Sequence, residues 1–143
     1  MPIDLPETIR PLFVAAGWPA QVTAPEADIG PNGHPANDLL RAFNGLCVGH
    51  CGAGEECAAG DIEFRAKPGL HDEKVIVAMQ RKLNTTLVCI GDVHHGHGAL
   101  FVDSRGACYL MSQVHDAFWL QGNTFAVAAE GLLLGRKSQT QLL

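Results

Sequence analysis

Basic residues are scarce in this chain, which has ten Lys and Arg against fifteen Asp and Glu and a formal net charge of −5. Proteins that bind a phosphate backbone present clustered Lys and Arg, so this composition argues against a nucleic-acid partner. A mild negative charge suits a partner that is itself basic, and proteins that handle nucleic acids are the commonest of these. The same charge also serves simply to keep a protein in solution.

Long apolar runs are absent as well. No apolar segment reaches the roughly 18 residues that a membrane-spanning helix needs, so we expect no membrane association. The opening residues 1–7 lack the basic start and the continuous apolar stretch of a signal peptide, which predicts a cytoplasmic protein. The five cysteines are an odd number and are expected to be reduced thiols there.

Recognisable catalytic motifs are missing. The chain has no Gly-x-Ser-x-Gly elbow, no phosphate loop ending in Gly-Lys-Ser or Gly-Lys-Thr, and no His-Glu-x-x-His helix. It also lacks the His-x-Glu and Pro-Cys-x-x-Cys pair of the zinc deaminases. We therefore expect a protein that is not an enzyme, with no catalytic residues and no cofactor.

What the chain does contain is enough apolar material for a core. Hydrophobic residues make up 47% of the 143 residues and charged residues only 17%, which favours a packed globule over disorder. No internal repeat or change of composition marks a boundary. The whole chain, residues 1–143, is expected to form one domain.

The spacing of apolar residues and the positions of Gly and Pro predict the secondary-structure elements of that domain. In the first half we expect a helix within 5–16 that begins just before Pro11, then a long connection over 19–35 and a helix over 35–43. The start of a strand follows at 46–48, then an exposed loop over 49–60 and a strand at 62–64. In the second half we expect a helix over 71–83, a strand at 87–90 and a turn over 91–98. A hairpin of 99–102 with 107–111 follows, then a short apolar segment at 118–120 and a helix that begins at Asn123 or Thr124 and ends at Gly135. This order predicts the α+β class, with a central, mainly antiparallel sheet flanked by N-terminal and C-terminal helices.

One group of metal-ligating residue types lies at the start of the glycine-rich segment. Cys47, His50 and Cys51, with Cys57 beyond them, include one pair at a spacing found in structural zinc sites. A second complete pair is missing, however, and a zinc ribbon needs two. Ordinary strand and loop thiols are the simpler interpretation.

A second group, formed by Asp92, His94, His95 and His97, lies in the predicted turn. Alternate residues of an extended segment point to one side, so His95 and His97 could share a ligand. A polar, glycine-flanked turn explains the same residues without a metal. We therefore predict no metal site, and keep a small metal-binding enzyme or a zinc-stabilised domain using 47–57 or 92–97 as the alternative.

Acidic residues are concentrated in one short stretch. Glu55, Glu56, Asp61 and Glu63 occur within nine residues that contain no Lys or Arg. Such a surface attracts a basic partner over a long range, so these four residues are our candidates for partner binding. A solvated loop with no binding role is the other interpretation.

Scattered segments, in order along nearly the whole chain, resemble one known family. They are Leu5-Pro-Glu, Ala15-Ala-Gly-Trp18, Leu39-Leu-Arg-Ala-Phe-Asn-Gly-Leu46, Leu87-Val-Cys-Ile-Gly91, Leu100-Phe-Val-Asp-Ser-Arg-Gly-Ala-Cys-Tyr109, and Gly122-Asn-Thr-Phe-Ala126 running to Leu132-Leu-Leu-Gly135. Together they are similar to the third subgroup of the SUKH superfamily of bacterial immunity proteins. Asn44 departs from the family pattern, which commonly has Gly there.

The resemblance implies a function and leaves one further alternative open. It implies a single α+β domain that binds and neutralises a polymorphic toxin, often a nuclease, inside the producing cell. The matching residues are mostly fold-forming ones, so the resemblance assigns no binding residue. A general intracellular protein-interaction domain fits the same composition and the same missing motifs.

Overall fold

The computed structural model describes residues 3, 5–25, 27–66, 73–112, 117–136 and 140–142. Within these residues the strands are β1 (Cys47–Ala53), β2 (Ala58–Phe64), β3 (Val88–Val93), β4 (Gly98–Val102), β5 (Cys108–Ser112), β6 (Ala117–Gly122) and β7 (Thr140–Gln141). The helices are α1 (Arg10–Ala15), α2 (Pro35–Phe43), α3 (Glu73–Leu83) and α4 (Phe125–Leu134). The strands form one seven-stranded sheet in sequential order, and every neighbouring pair is antiparallel. The predicted α+β class is confirmed.

Both faces of the sheet are covered by helices. The larger core lies on the face that packs against α1, α2 and α4, and the smaller one contains Ile76 and Met79 of α3. Every residue of β3 and β4 is buried. Strands covered on both faces carry continuous apolar runs instead of alternating apolar and polar residues, which explains the apolar sequences of β4 and of Val88–Ile90 in β3.

The predicted helix boundaries at α1, α2 and α4 are confirmed, because local chemistry sets them. Helix α1 begins at Arg10, which places Pro11 in its first turn, where a missing N–H costs nothing. At α2 the Nδ1 atom of His34 accepts a hydrogen bond from the Ala36 N–H at 3.1 Å. At α4 the Thr124 hydroxyl accepts the Val127 N–H at 3.2 Å, and Gly135 ends the helix in the left-handed region.

Three further predictions, for a connection, a helix and a hairpin, can be compared with the structure. The connection over 19–35 contains no strand among its described residues. Helix α3 occupies the predicted region from Glu73 onward, whereas positions 71 and 72 lie outside the described residues. The hairpin of β4 and β5 is confirmed: the Asp103 carboxylate accepts the N–H groups of Arg105 and Ala107 and so closes the turn.

Candidate functional site

Residues 50–58 are exposed as predicted, but the predicted loop over 49–60 is wrong, because most of that segment is a β-hairpin. Strand β1 continues to Ala53 and β2 starts at Ala58, so only residues 54–57 form the turn. The pairing shifts register between Gly49 and Gly52, which marks a bulge in β1. The four acidic candidates are therefore carried by a hairpin at the edge of the sheet.

The turn of this hairpin is docked on the end of α4. The backbone N–H of Glu55 donates to the Leu134 carbonyl, and those of Glu56 and Cys57 donate to the Gly135 carbonyl, each at 2.8 Å. The last carbonyls of a helix have no partner inside the helix, and these three bonds supply partners for two of them. The hairpin turn and the helix end thus hold each other in place.

The side chains of Glu55 and Glu56 are exposed on this turn. Arg136 donates from Nε to Glu55 Oε2 at 2.9 Å and from Nη1 to Glu130 Oε1 at 2.8 Å. The pKa of Arg136 is raised, first by its hydrogen bond to Glu55. Exposed ion pairs of this kind contribute little stability, but they orient the carboxylates.

Glu63 and Asp92 share an arginine on neighbouring strands. Arg65 lies with its Nε 3.5 Å from the exposed Glu63 carboxylate, and its Nη2 donates to Asp92 Oδ2 at 2.9 Å. Asp92 is buried in β3. Arg65 therefore pairs with both carboxylates, and Glu63 is the one that remains exposed on the surface.

Asp61 differs from the other three acidic candidates because it is buried. Its residue is only 5% exposed. Its Oδ1 accepts the backbone N–H of His95 at 2.9 Å, and its Oδ2 lies 3.1 Å from His95 Nδ1. Asp61 therefore fixes the β3–β4 turn against β2 and does not present a free carboxylate to a partner.

The histidine-rich turn is shorter than predicted, since β3 extends to Val93 and only residues 94–97 connect it to β4. His94 and His95 both have positive φ angles, 51° and 54°. The backbone is a turn, as predicted, and so lacks the extended geometry on which a ligand shared by His95 and His97 depends. The His94 ring lies over Gly60, where any Cβ would collide with it, and burial lowers the pKa of His94.

The cysteines fall into two classes, and all five are free thiols. Cys89 and Cys108 are buried in the core, and burial raises the pKa of Cys89 to about 12, so both are inert. Cys47, Cys51 and Cys57 are exposed. The pKa of Cys47 is raised by its partial burial and, next, by Asp61 and Glu63.

Neither of the two groups of metal-ligating residue types kept as an alternative, 47–57 and 92–97, assembles as a unit among the described residues. The one close group of His, Cys, Asp and Glu donors found there takes one residue from each cluster and one acidic candidate: Cys51, Asp61 and His95. Sequence spacing missed this group because its members come from β1, β2 and the β3–β4 turn. Only the pairing of those strands would have revealed it.

A groove of about 300 Å³ opens beside the docked turn. It lies between α1, β1 and the end of α4, and its lining includes Leu12, His50, Glu55, Leu133 and Leu134. The lining is mainly apolar, with Glu55 as its one acidic side chain, so the groove is suited to holding an apolar side chain or the apolar stem of a longer one.

Among the described residues, no helix has both the length and the hydrophobicity required to span a bilayer.

Neither a curated protein nor a solved structure matches this chain significantly. A family model does match: that of the SUKH-3 immunity protein, over residues 31–135. This region contains α2, α3, α4 and strands β1–β6, and it makes up well over half of the sequence. The resemblance seen in the sequence is confirmed, and the chain belongs to the SUKH-3 immunity protein family.

Proposed function

We propose that this protein binds a cognate polymorphic toxin with a basic surface, a nuclease, and neutralises it in the cytoplasm of the cell that makes the toxin. Membership of an immunity protein family supports the binding role. An inhibitor of this kind needs a rigid scaffold and a complementary surface, and it needs no chemistry of its own. We assign the protein no catalytic residue and no nucleic-acid partner.

The observation that carries the choice of surface is the docked acidic turn. Glu55 and Glu56 project from a turn whose backbone is bonded to the end of α4. A surface held in its bound conformation avoids the cost of ordering on binding. The groove beside Glu55 adds an apolar pocket, and buried anchors in such pockets supply most of the binding energy of an interface.

The charge on this hairpin favours a basic partner. A nuclease attracts phosphate with clustered Lys and Arg, and covering that cluster with carboxylates blocks substrate entry. Glu55, Glu56 and Glu63 form the proposed toxin-facing set. Asp61 is left out of the exposed set because its carboxylate is buried and bonded to His95.

Charge reversal on the turn tests this proposal. In E55K/E56K we expect the association rate with the cognate toxin, identified by co-purification from the producing cell, to fall at least about tenfold at low salt, because electrostatic steering is lost. The wild-type rate should itself fall as salt rises, since exposed charges are screened beyond about 10 Å at 0.1 M. Stopped-flow measurements over a salt series give both rates.

The matched control is D38K/E73K. Asp38 and Glu73 lie in the first turns of α2 and α3, and each double variant changes the formal net charge from −5 to −1. The control should keep the wild-type rate to within about twofold if location decides the effect. Equal rates for E55K/E56K and wild type at low salt, or equal losses in both variants, would contradict the proposed surface.

A further inference from the structure

Three metal-binding side chains from distant parts of the sequence converge at the edge of the sheet. A sulfur of Cys51, a carboxylate oxygen of Asp61 and a ring nitrogen of His95 all lie within 4.8 Å of one another. Cys51 is on the bulged part of β1, Asp61 is on the neighbouring strand β2, and His95 is on the β3–β4 turn. The antiparallel order β1-β2-β3 is what brings them together.

Both oxygens of Asp61 face His95, and a cation bound by these two residues would replace the contact that Oδ2 makes. Oδ1 is held by the backbone N–H of His95 at 2.9 Å, which fixes the plane of the carboxylate. Oδ2 points to the same residue's ring, 3.1 Å from Nδ1. Metal-ligating carboxylates are commonly oriented by a hydrogen bond of this kind.

The electrostatic setting favours a cation. Asp61 is buried, and within the described residues it forms no ion pair with Lys or Arg. A buried carboxylate is costly unless a positive group or hydrogen-bond donors compensate it. Glu63 lies two residues away, and both acids raise the pKa of the nearby Cys47 thiol, after the effect of burial.

We propose that Cys51, Asp61 and His95 form a binding site for a divalent cation of the zinc type. Thiolate, imidazole and carboxylate are the donors that zinc takes in proteins, and three protein ligands leave the fourth tetrahedral position to water. Softer donors such as the thiolate disfavour Mg²⁺ and Ca²⁺, which prefer oxygen. On binding, the Cys51 thiol releases its proton to solvent and the metal loses water.

This site binds metal to a domain that is already folded. Cys51 and His95 are exposed, and the two cores are built from apolar side chains elsewhere. A structural zinc site, by contrast, supplies the folding energy of its domain. Protein stripped with a chelator should therefore keep its fold, and added zinc should raise its melting temperature by binding the native state.

Titration of the stripped protein tests the site. Calorimetry with Zn²⁺ should show one equivalent bound, and Co²⁺ should give the absorption of a thiolate-bound ion. C51S and H95Q should each weaken zinc binding at least about tenfold. Affinity should rise with pH, because the thiol must lose its proton.

The other exposed cysteines supply the controls. C47S and C57S remove thiols from the same hairpin that are outside the donor group, and both should bind zinc within about twofold of wild type. D61N is expected to abolish binding too, but it also removes a buried partner of His95, so the two exposed ligands decide the test. Unchanged zinc affinity in both C51S and H95Q, or an equal loss in C47S, would overturn the proposal.

Discussion

Phe43→Ala is expected to destabilise the domain by about 3–5 kcal/mol, a large part of the stability of a domain of this size. Phe43 is fully buried on α2. Its ring centroid lies 4.8 Å from that of Phe13 on α1, 5.2 Å from Phe64 on β2 and 5.6 Å from Phe125 on α4. Truncation removes a ring that contacts all three and leaves a cavity that rigid elements cannot close.

Urea unfolding followed by tryptophan fluorescence measures this loss. Val127→Ala is the control, because Val127 is 47% exposed on α4, and its effect should stay within about 0.5 kcal/mol. A loss below about 1 kcal/mol in Phe43→Ala would show that the aromatic cluster does not organise the core as described.

Gly135→Ala is expected to cost at least about 2 kcal/mol, because two effects add at this position. Gly135 has a φ of +72°, which an L residue adopts only with strain. A Cβ there would also collide with the Cys57 carbonyl and lie 2.6 Å from the Gly54 Cα. Relief of that collision requires the hairpin turn to move away from α4.

Gly33→Ala separates the two effects. Gly33 has a φ of +82°, but no atom lies within 4 Å of the position of a Cβ. It should therefore show the conformational cost alone, about 1 kcal/mol. Equal losses of unfolding free energy in the two variants would show that the turn is not tightly docked. A larger loss in Gly135→Ala should be accompanied by slower toxin association, since the turn carries Glu55 and Glu56.

The elements that the sequence predicts well are those whose signals are local. Helix α2 is bounded by Pro35 and Gly45, and α4 by Thr124 and Gly135, and each boundary depends on chemistry within a few residues. The β4–β5 hairpin likewise follows from Asp103 and Gly106 between two apolar runs. Local agreement of this kind is what makes element type readable from one sequence.

Strand is predicted at 46–48 and 62–64, but the rest of the β1–β2 hairpin is not, because its strand signal is weak. Glycine disfavours strands in isolation, and β1 shows no regular alternation of burial. Gly60 illustrates the physical reason for one of these glycines: the ring of His94, from the β3–β4 turn, occupies the space of its missing side chain. The need for glycine at position 60 arises from tertiary packing, and the pattern of apolar residues within one segment gives no information about it.

The geometry of the candidate site could not be predicted from the sequence for the same reason. Glu55 and Glu56 are predicted as an acidic surface from composition alone, but the burial of Asp61 depends on the register between β2 and β3. The partnership of Glu55 with Arg136 spans most of the chain. Contacts set by strand order and helix docking become visible only in the folded protein.

The central claim is that this chain confers immunity, and growth of cells that express the toxin that co-purifies with it tests that claim most directly. Co-expression of the wild-type chain should restore colony formation, and E55K/E56K should restore it less well than D38K/E73K. Failure of the wild-type chain to protect, in cells where it is folded and abundant, would contradict the account and favour a general protein-interaction domain.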